Sequence, residues 1–503
     1  MPQFREIGNT LAADREARLR ADRSLIGMAR TGSPPNMVES ILGKDRSTLI
    51  EAGQRTAARE VRSQKPAALS GAFFWLSAFY FIYCARPEDW IKVLGYIPLA
   101  KITGVFALIG LLSSLGRTQR KLRDIPRESW YLLAMIGLLF ASALLSPIWK
   151  GGALNHTLDF AKVYVAWTLT FLVVTDFTRL RRIIYIQSAS VVLICVVSII
   201  IGHSRSRLEG VIGGIYSNPN DLAFSIVLTL PFCLAFLLTA KSSIAKVAWA
   251  AGMLVMALAL FLTASRGGFI TLLVAGAICL WHFGIKGRRL YLLAISGFVV
   301  VLLLVVAGGP LMNRMGTFAG EDTRQQTQAS ESYEQRKFLV RRAIDGIEHY
   351  PVLGLGVRNF QQYSGVWRDV HVTYLQIAVE GGIPALVLYL LFFFRGFSNL
   401  RKLLRMRDLD VQTTLFVQAL HSSMVGFVVG ALFSPEAYQL FPYFSVAYSA
   451  VLVAIVSERE HCRTLWSLGR PAAGGGRIFL PRAGNRMPSR LSGNVRVITP
   501  SAE

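Results

Sequence analysis

Three groups of arginines and one histidine are the residues whose types and spacing suggest chemistry. Arg205 and Arg207 stand in HSRSRLEGVIGG, Arg266 in TASRGGFIT, and Arg336, Arg341 and Arg342 in SESYEQRKFLVRR. A guanidinium is permanently charged and offers a planar fork of donors that matches phosphate or carboxylate oxygens. Several brought into one cleft would stabilise a leaving group on which negative charge develops. Arg266 is the sharpest case, set between two apolar runs with almost no loop and followed by Gly267 and Gly268. Paired glycines permit a tight turn and close approach by a ligand, whereas the structural alternative is an arginine that snorkels from a helix end. The segment GGIYSNPNDLA offers Asn218, Asn220 and Asp221 as helix N-caps, with Pro219 suited to the first turn. A helix N-terminus also presents unpaired N–H groups to phosphate. His371 is the candidate proton acceptor, against the alternative of a structural interfacial histidine. Tyr374, Gln376 and Glu380 follow it, then Gly381, Gly382 and Pro384. An acid there is a functional candidate or a group that locks a kinked helix.

The elements that must position these residues are membrane helices. The chain has 503 residues, 53% hydrophobic and only 17% charged, with a mean hydropathy of +0.44. Its apolar runs approach or exceed ~18 residues, enough to cross ~30 Å of hydrocarbon as helix. The ~10-residue alternating segments of a transmembrane barrel are absent. The expected fold is all-α and polytopic, with about twelve spans at 67–85, 93–115, 130–147, 159–177, 183–202, 221–240, 246–263, 268–284, 290–308, 373–395, 412–433 and 438–457. Pro98 and Lys101 suggest a kink in the second.

Lys and Arg in the short loops set the orientation. With the N-terminus in the cytoplasm, the loops at 116–124, 178–182, 241–246, 286–289 and 395–407 are inside, and all are net basic. Three regions follow: a polar cytoplasmic tail at 1–66, a transmembrane domain at 67–457, and a basic cytoplasmic tail at 458–503. A large outer loop at 309–372 separates the ninth and tenth spans and has room for two or three short helices. Within it, 330–347 has helical spacing, with Phe338, Ile344 and Ile347 as the expected packing side.

This topology places the three arginine groups, Arg358 and His371 on the outer face, where basic residues oppose the retention rule and call for a reason. The net charge of +24 is accounted for by cytoplasmic loops and tails facing anionic headgroups, so no nucleic-acid partner is implied. No removable signal peptide is read at the N-terminus. The five cysteines fall in spans or the cytoplasmic tail, and no CxxC pair or His/Cys cluster suggests a metal.

Taken in order, RLEG with NPNDLA, SRGG, S-x-x-x-R, YPVLGLGVRNF and H-x-x-YLQ-x-x-x-EGGIP resemble the O-antigen ligase/polymerase superfamily over about Arg205–Pro384. ARPEDW at Ala85–Trp90 also resembles an O-glycosylation-ligase subgroup. The resemblance implies a bacterial inner-membrane glycosyltransferase, active on its periplasmic face without metal, cofactor or nucleotide sugar. Its donor would be a glycan on an undecaprenyl-pyrophosphate carrier, and its acceptor a lipid A core, a polysaccharide or a protein hydroxyl. Arg207, Arg266 and Arg336 then become pyrophosphate or transition-state contacts, Arg205, Asn218, Asn220 and Arg358 substrate contacts, and His371 the group that activates or orients the acceptor hydroxyl. The family histidine is often followed by asparagine, whereas Val372 stands here. A polymerase of the same superfamily and a polytopic solute transporter are the alternatives; a transporter would more often show an internal repeat and charges at the midplane.

Overall fold

The computed structural model describes residues 69–114, 120–201, 208, 210, 216, 218–307, 323–406 and 408–468. Arg205, Arg207, the N-terminal tail and most of the C-terminal tail lie outside the described residues.

The architecture is all-α. Helices α1 (Ser70–Ala85), α2 (Leu99–Leu112), α3 (Arg127–Leu144), α4 (Lys150–Val173), α5 (Phe177–Ile201), α6 (Pro219–Thr239), α7 (Ser243–Thr263), α8 (Arg266–Leu280) and α9 (Tyr291–Ala307) precede the outer loop. That loop carries α10 (Thr323–His349) and α11 (Phe360–Ser364), and α12 (Thr373–Arg405), α13 (Val411–Gly430) and α14 (Leu440–Leu468) follow. Among the described residues, seven helices are long and apolar enough to cross a membrane: α5, α6, α7, α8 with its π-helical extension to Lys286, α12, α13 and α14. Helices α1, α2 and α9 are shorter apolar segments. The chain is a multi-pass membrane protein, and each of the twelve expected segments coincides with a helix.

Boundaries differ from expectation where polar residues obscure the apolar run. Helix α4 begins at Lys150 rather than 159, because Gly152, Ala153, Thr157 and Phe160 form a buried stripe despite Asn155, His156 and Asp159 between them. Helix α2 starts only after Pro98, whose ring removes the donor that an earlier turn would need. Helix α14 continues past 457 to Leu468. Among its described residues the outer loop holds one long helix and one five-residue helix. On α10, Leu339 and Ala343 are buried with Leu355, Phe360, Val370 and Val379, and Ile347 packs against them. Phe338 and Ile344, expected to pack, are exposed.

Helix α6 is enclosed by α7, α8 and α13, and α12 runs against α3, α13 and α14. These two groups converge where α6, α8 and α12 begin and α13 ends. Helix α12 is interrupted at Gly382, whose φ of 81° and ψ of 170° are not helical.

Candidate active site

Arg266 opens α8, and its position follows from a cap shared between two helices. Asn218 caps α6, its side-chain oxygen accepting from the Asn220 N–H at 3.0 Å. Ser265 caps α8 by accepting from the Gly268 N–H at 3.1 Å, and its hydroxyl donates to Asn220 Oδ1 at 2.7 Å. The N-termini of α6 and α8 are thereby joined through one hydroxyl, with their partial positive ends side by side. The glycines after Arg266 allow the contact. A Cβ on Gly268 would lie 2.7 Å from that of Ala223, and one on Gly267 would lie 2.8 Å from that of Phe433. The side-chain oxygens of Asn218 and Asn220, expected at the substrate, thus also serve the fold.

Phe433 belongs to the turn between α13 and α14, which links Arg266 to the histidine side. Thr373, the first residue of α12, donates its hydroxyl to Ser434 O at 2.7 Å and its N–H to Ala431 O at 2.8 Å, and accepts from the Glu436 N–H at 3.0 Å. Ser434 Oγ lies 2.8 Å from Glu436 Oε1 and 3.3 Å from Asp221 Oδ1 on the first turn of α6. Burial, and then the neighbouring Asp221 carboxyl, push the Glu436 carboxyl well above its ordinary range.

The segment Pro351–Asn359 plugs the break in α12. Leu355 and Gly356 N–H donate to Val379 O and Glu380 O, each at 2.9 Å, and Ile383 N–H donates to Pro351 O at 2.8 Å. Ser142 Oγ adds a bond to Glu380 O at 2.8 Å. Gly354 is required here, since its φ is +66° and a Cβ would lie 2.6 Å from the Glu380 carbonyl carbon. Asn359 ties the plug to α3 and α4 by donating to Ser146 Oγ at 2.7 Å and Trp149 O at 3.2 Å. Arg358 is exposed, in the left-handed region at φ 61°, and its charge reaches His156 and Glu380. Glu380 is fully buried, with the Tyr438 hydroxyl and the Arg358 backbone N–H beside its carboxyl.

His371 sits on the loop from α11 to α12, held from both sides. Val370 is buried in the outer-loop core, and the His371 Nδ1 lies 3.0 Å from the Asp369 carbonyl oxygen. A carbonyl only accepts, so Nδ1 carries the proton and Nε2 is the basic nitrogen. Burial lowers the His371 pKa, and so does the Arg336 charge, against the Asp369 carbonyl and carboxylate. Arg336, on the exposed side of α10, therefore lies within electrostatic reach of His371.

A clamp holds α10 in place. Arg342 donates to Asp345 at 3.0 Å and to Tyr363 O at 3.1 Å, and its guanidinium lies 4.7 Å from the Tyr363 ring centre. The Tyr363 hydroxyl donates to Asp345 at 2.6 Å. That hydrogen bond holds the Asp345 carboxyl below its ordinary range, while burial and the Asp345 carboxylate push Tyr363 up to about 12.

Arg266, Arg336, Arg358 and His371 thus lie on elements tied together by hydrogen bonds, and all four fall in one contiguous stretch. Residues 251–390 match the family model described as O-antigen ligase. This stretch is a domain of the O-antigen ligase family. No curated protein matches the chain. The ligase domain runs from within α7 to the middle of α12 and leaves out two partners of its own site, Asp221 on α6 and Glu436 after α13.

Among the described residues of the ligase domain and its surroundings, no cluster of three or more His, Cys, Asp or Glu is placed to hold a metal. His156, Asp369, Glu436 and the Asp221 carboxylate were not among the residues expected from the sequence. Asp369 carried a usable signal, standing two residues before His371 in WRDVH. Glu436 carried none, because only the tertiary contact between the α13–α14 turn and α6 reveals it.

Proposed function

We propose that the protein moves a glycan from an undecaprenyl-pyrophosphate carrier to an acceptor hydroxyl on the periplasmic face of the bacterial inner membrane. The observation that supports this best is the His371 Nδ1 contact to Asp369 O, which leaves Nε2 as a base inside an O-antigen ligase domain. In the step, the acceptor oxygen attacks the anomeric carbon of the donor and its proton passes to Nε2. The bond from that carbon to the pyrophosphate oxygen breaks, and the electron pair leaves with the pyrophosphate. Arg266 at the start of α8 and Arg336 on α10 offset the charge that develops there. We assign Arg358 to the donor as a substrate contact, together with Arg205 and Arg207, which lie outside the described residues. A lowered His371 pKa suits this role, since the imidazole is neutral and ready to accept a proton near pH 7.

A polymerase would use the same groups and differ only in taking a polysaccharide end as acceptor. A transporter fits less well. A broken helix can leave carbonyls to coordinate an ion, but here the carbonyls of Val379 and Glu380 are taken by the plug at the break. The test is to mix purified protein with lipid-linked oligosaccharide and candidate acceptors. Transfer is expected, with no solute flux when the protein is placed in liposomes; flux without transfer would reverse the reading.

A further inference from the structure

The short loop that carries His371 also presents Trp367, whose side chain the reaction above does not use. It is 70% exposed, and its φ of 54° lies in the left-handed region, where a bulky side chain is rare and strained. The loop is nevertheless fixed. Trp367 N–H donates to Gln361 O at 3.3 Å, Gln361 Nε2 donates to Asp369 Oδ1 at 2.9 Å, and Ser364 Oγ donates to Gln361 O at 3.0 Å. Arg368 donates to Gln335 on α10, and Val370 is anchored in the core. A fixed loop thus presents a large, exposed aromatic face four residues from His371, a surface suited to stacking on a ligand ring.

We propose that Trp367 and Asp369 form the acceptor subsite, with the indole stacking on the apolar C–H face of a pyranose ring and the carboxylate receiving one of its hydroxyls. The inference rests on the glycan-transfer reading and specifies the acceptor as a saccharide. Trp367, Asp369 and His371 occupy alternate positions of one loop. Four residues span at most ~14 Å between the outer two, even fully extended. That is the reach of one or two sugar rings, so a ring seated on the indole presents its own hydroxyl, or its neighbour's, to Nε2. Asp369 uses Oδ1 for Gln361 and has Oδ2 for the ligand. The fixed loop lowers the ordering cost of binding. The competing occupant is the bilayer interface, where exposed tryptophans also gather. The bonds from Gln361 to the Trp367 backbone N–H and to the Asp369 carboxylate favour the sugar, because they fix the two residues in one turn and set beside the indole a carboxylate that a headgroup belt has no use for.

The experiment uses the full chain in nanodiscs, saturating lipid-linked oligosaccharide, and two acceptor probes: core oligosaccharide released from lipid A by mild acid, and a serine-rich peptide. Trp367→Ala is expected to raise the KM for the oligosaccharide roughly tenfold, the scale of one aromatic stacking contact. Its kcat and donor KM should stay within about twofold, and Trp367→Phe should recover most of the loss. Oligosaccharide should also change the tryptophan emission of an inactive His371→Gln protein, and Trp367→Phe should remove that change. An unchanged acceptor KM in Trp367→Ala, or transfer to the peptide alone, overturns the subsite while leaving glycan transfer standing. Quenching of Trp367 by brominated lipid, with no response to oligosaccharide, assigns the residue to the membrane interface and also overturns it. Absence of transfer to any acceptor by the parent protein counts against the transfer reading, and the emission arm still decides the subsite.

Discussion

Replacing Gly382 by alanine probes the joint that shapes the site. Gly382 combines φ 81° with ψ 170°, a backbone region essentially closed to other residues, and forcing alanine into it costs roughly 1–3 kcal/mol. The new Cβ would also lie 2.1 Å from Val352 O and 2.9 Å from Leu353 N. Both are backbone atoms that cannot rotate away, so the plug must withdraw. Withdrawal breaks the bonds of Leu355 to Val379, Gly356 to Glu380 and Ile383 to Pro351, each worth ~1 kcal/mol net. Together these amount to about 4–6 kcal/mol, a large part of the ~5–15 kcal/mol that holds a typical fold. Gly381→Ala is the control. Its Cβ would meet Leu139 Cδ2 at 2.6 Å and Ala385 Cβ at 2.9 Å, and Leu139 is a flexible side chain able to yield. That change should cost about 1–3 kcal/mol. Thermal unfolding of detergent-purified protein, followed by size-exclusion recovery after heating, ranks the two. Equal midpoints for Gly382→Ala and the parent protein would show that the plug does not depend on the break in α12.

Three further predictions follow from the site. The acid limb of kcat/KM should fall below pH 6.5, because burial and Arg336 lower the His371 pKa from that value. Arg336→Gln should move the limb upward and Asp369→Asn downward; an unmoved limb in both would detach these charges from His371. Glu436→Gln should stabilise the protein increasingly as pH rises. The parent carboxyl is pushed well above 4.5 when folded, so the native state binds more protons than the unfolded chain and loses stability with rising pH. Melting curves at pH 5 and pH 8 check this, and a pH-independent difference would contradict it. Ser265→Ala should cost about 0.5–2 kcal/mol through the lost cap, leave Asn220 Oδ1 without the Ser265 hydroxyl, and lower transfer through Arg266. Transfer at the parent rate would show that the shared cap does not position that arginine.

The parts of the fold that rest on local pattern were legible in the residues. Long apolar runs located the helices, and E-G-G-I-P marked the break in α12, because glycine and proline restrict the backbone wherever they stand. The start of α4 was hidden because His156 and Asp159 share its first turns with a buried stripe, and hydropathy averages the two faces. The packing phase of α10 was ambiguous for a related reason. Phe338, Leu339, Val340, Ala343, Ile344 and Ile347 supply more apolar residues than one face needs, and contact with Leu355, Phe360 and Val379 selects Leu339 and Ala343. The arginines and His371 were visible from residue type and spacing. Their linkage through Ser265, Asn220, Thr373 and Ser434 was not, since those bonds join positions far apart in the chain.

The most direct test of the central claim separates binding from transfer in His371→Gln. With radiolabelled lipid-linked oligosaccharide, this variant should bind donor within about threefold of the parent protein while single-turnover transfer falls by ~10²–10⁴, the range expected for loss of a general base. Transfer at a rate near the parent's, or donor binding lost in equal measure, would contradict the assignment of His371 as the group that activates the acceptor.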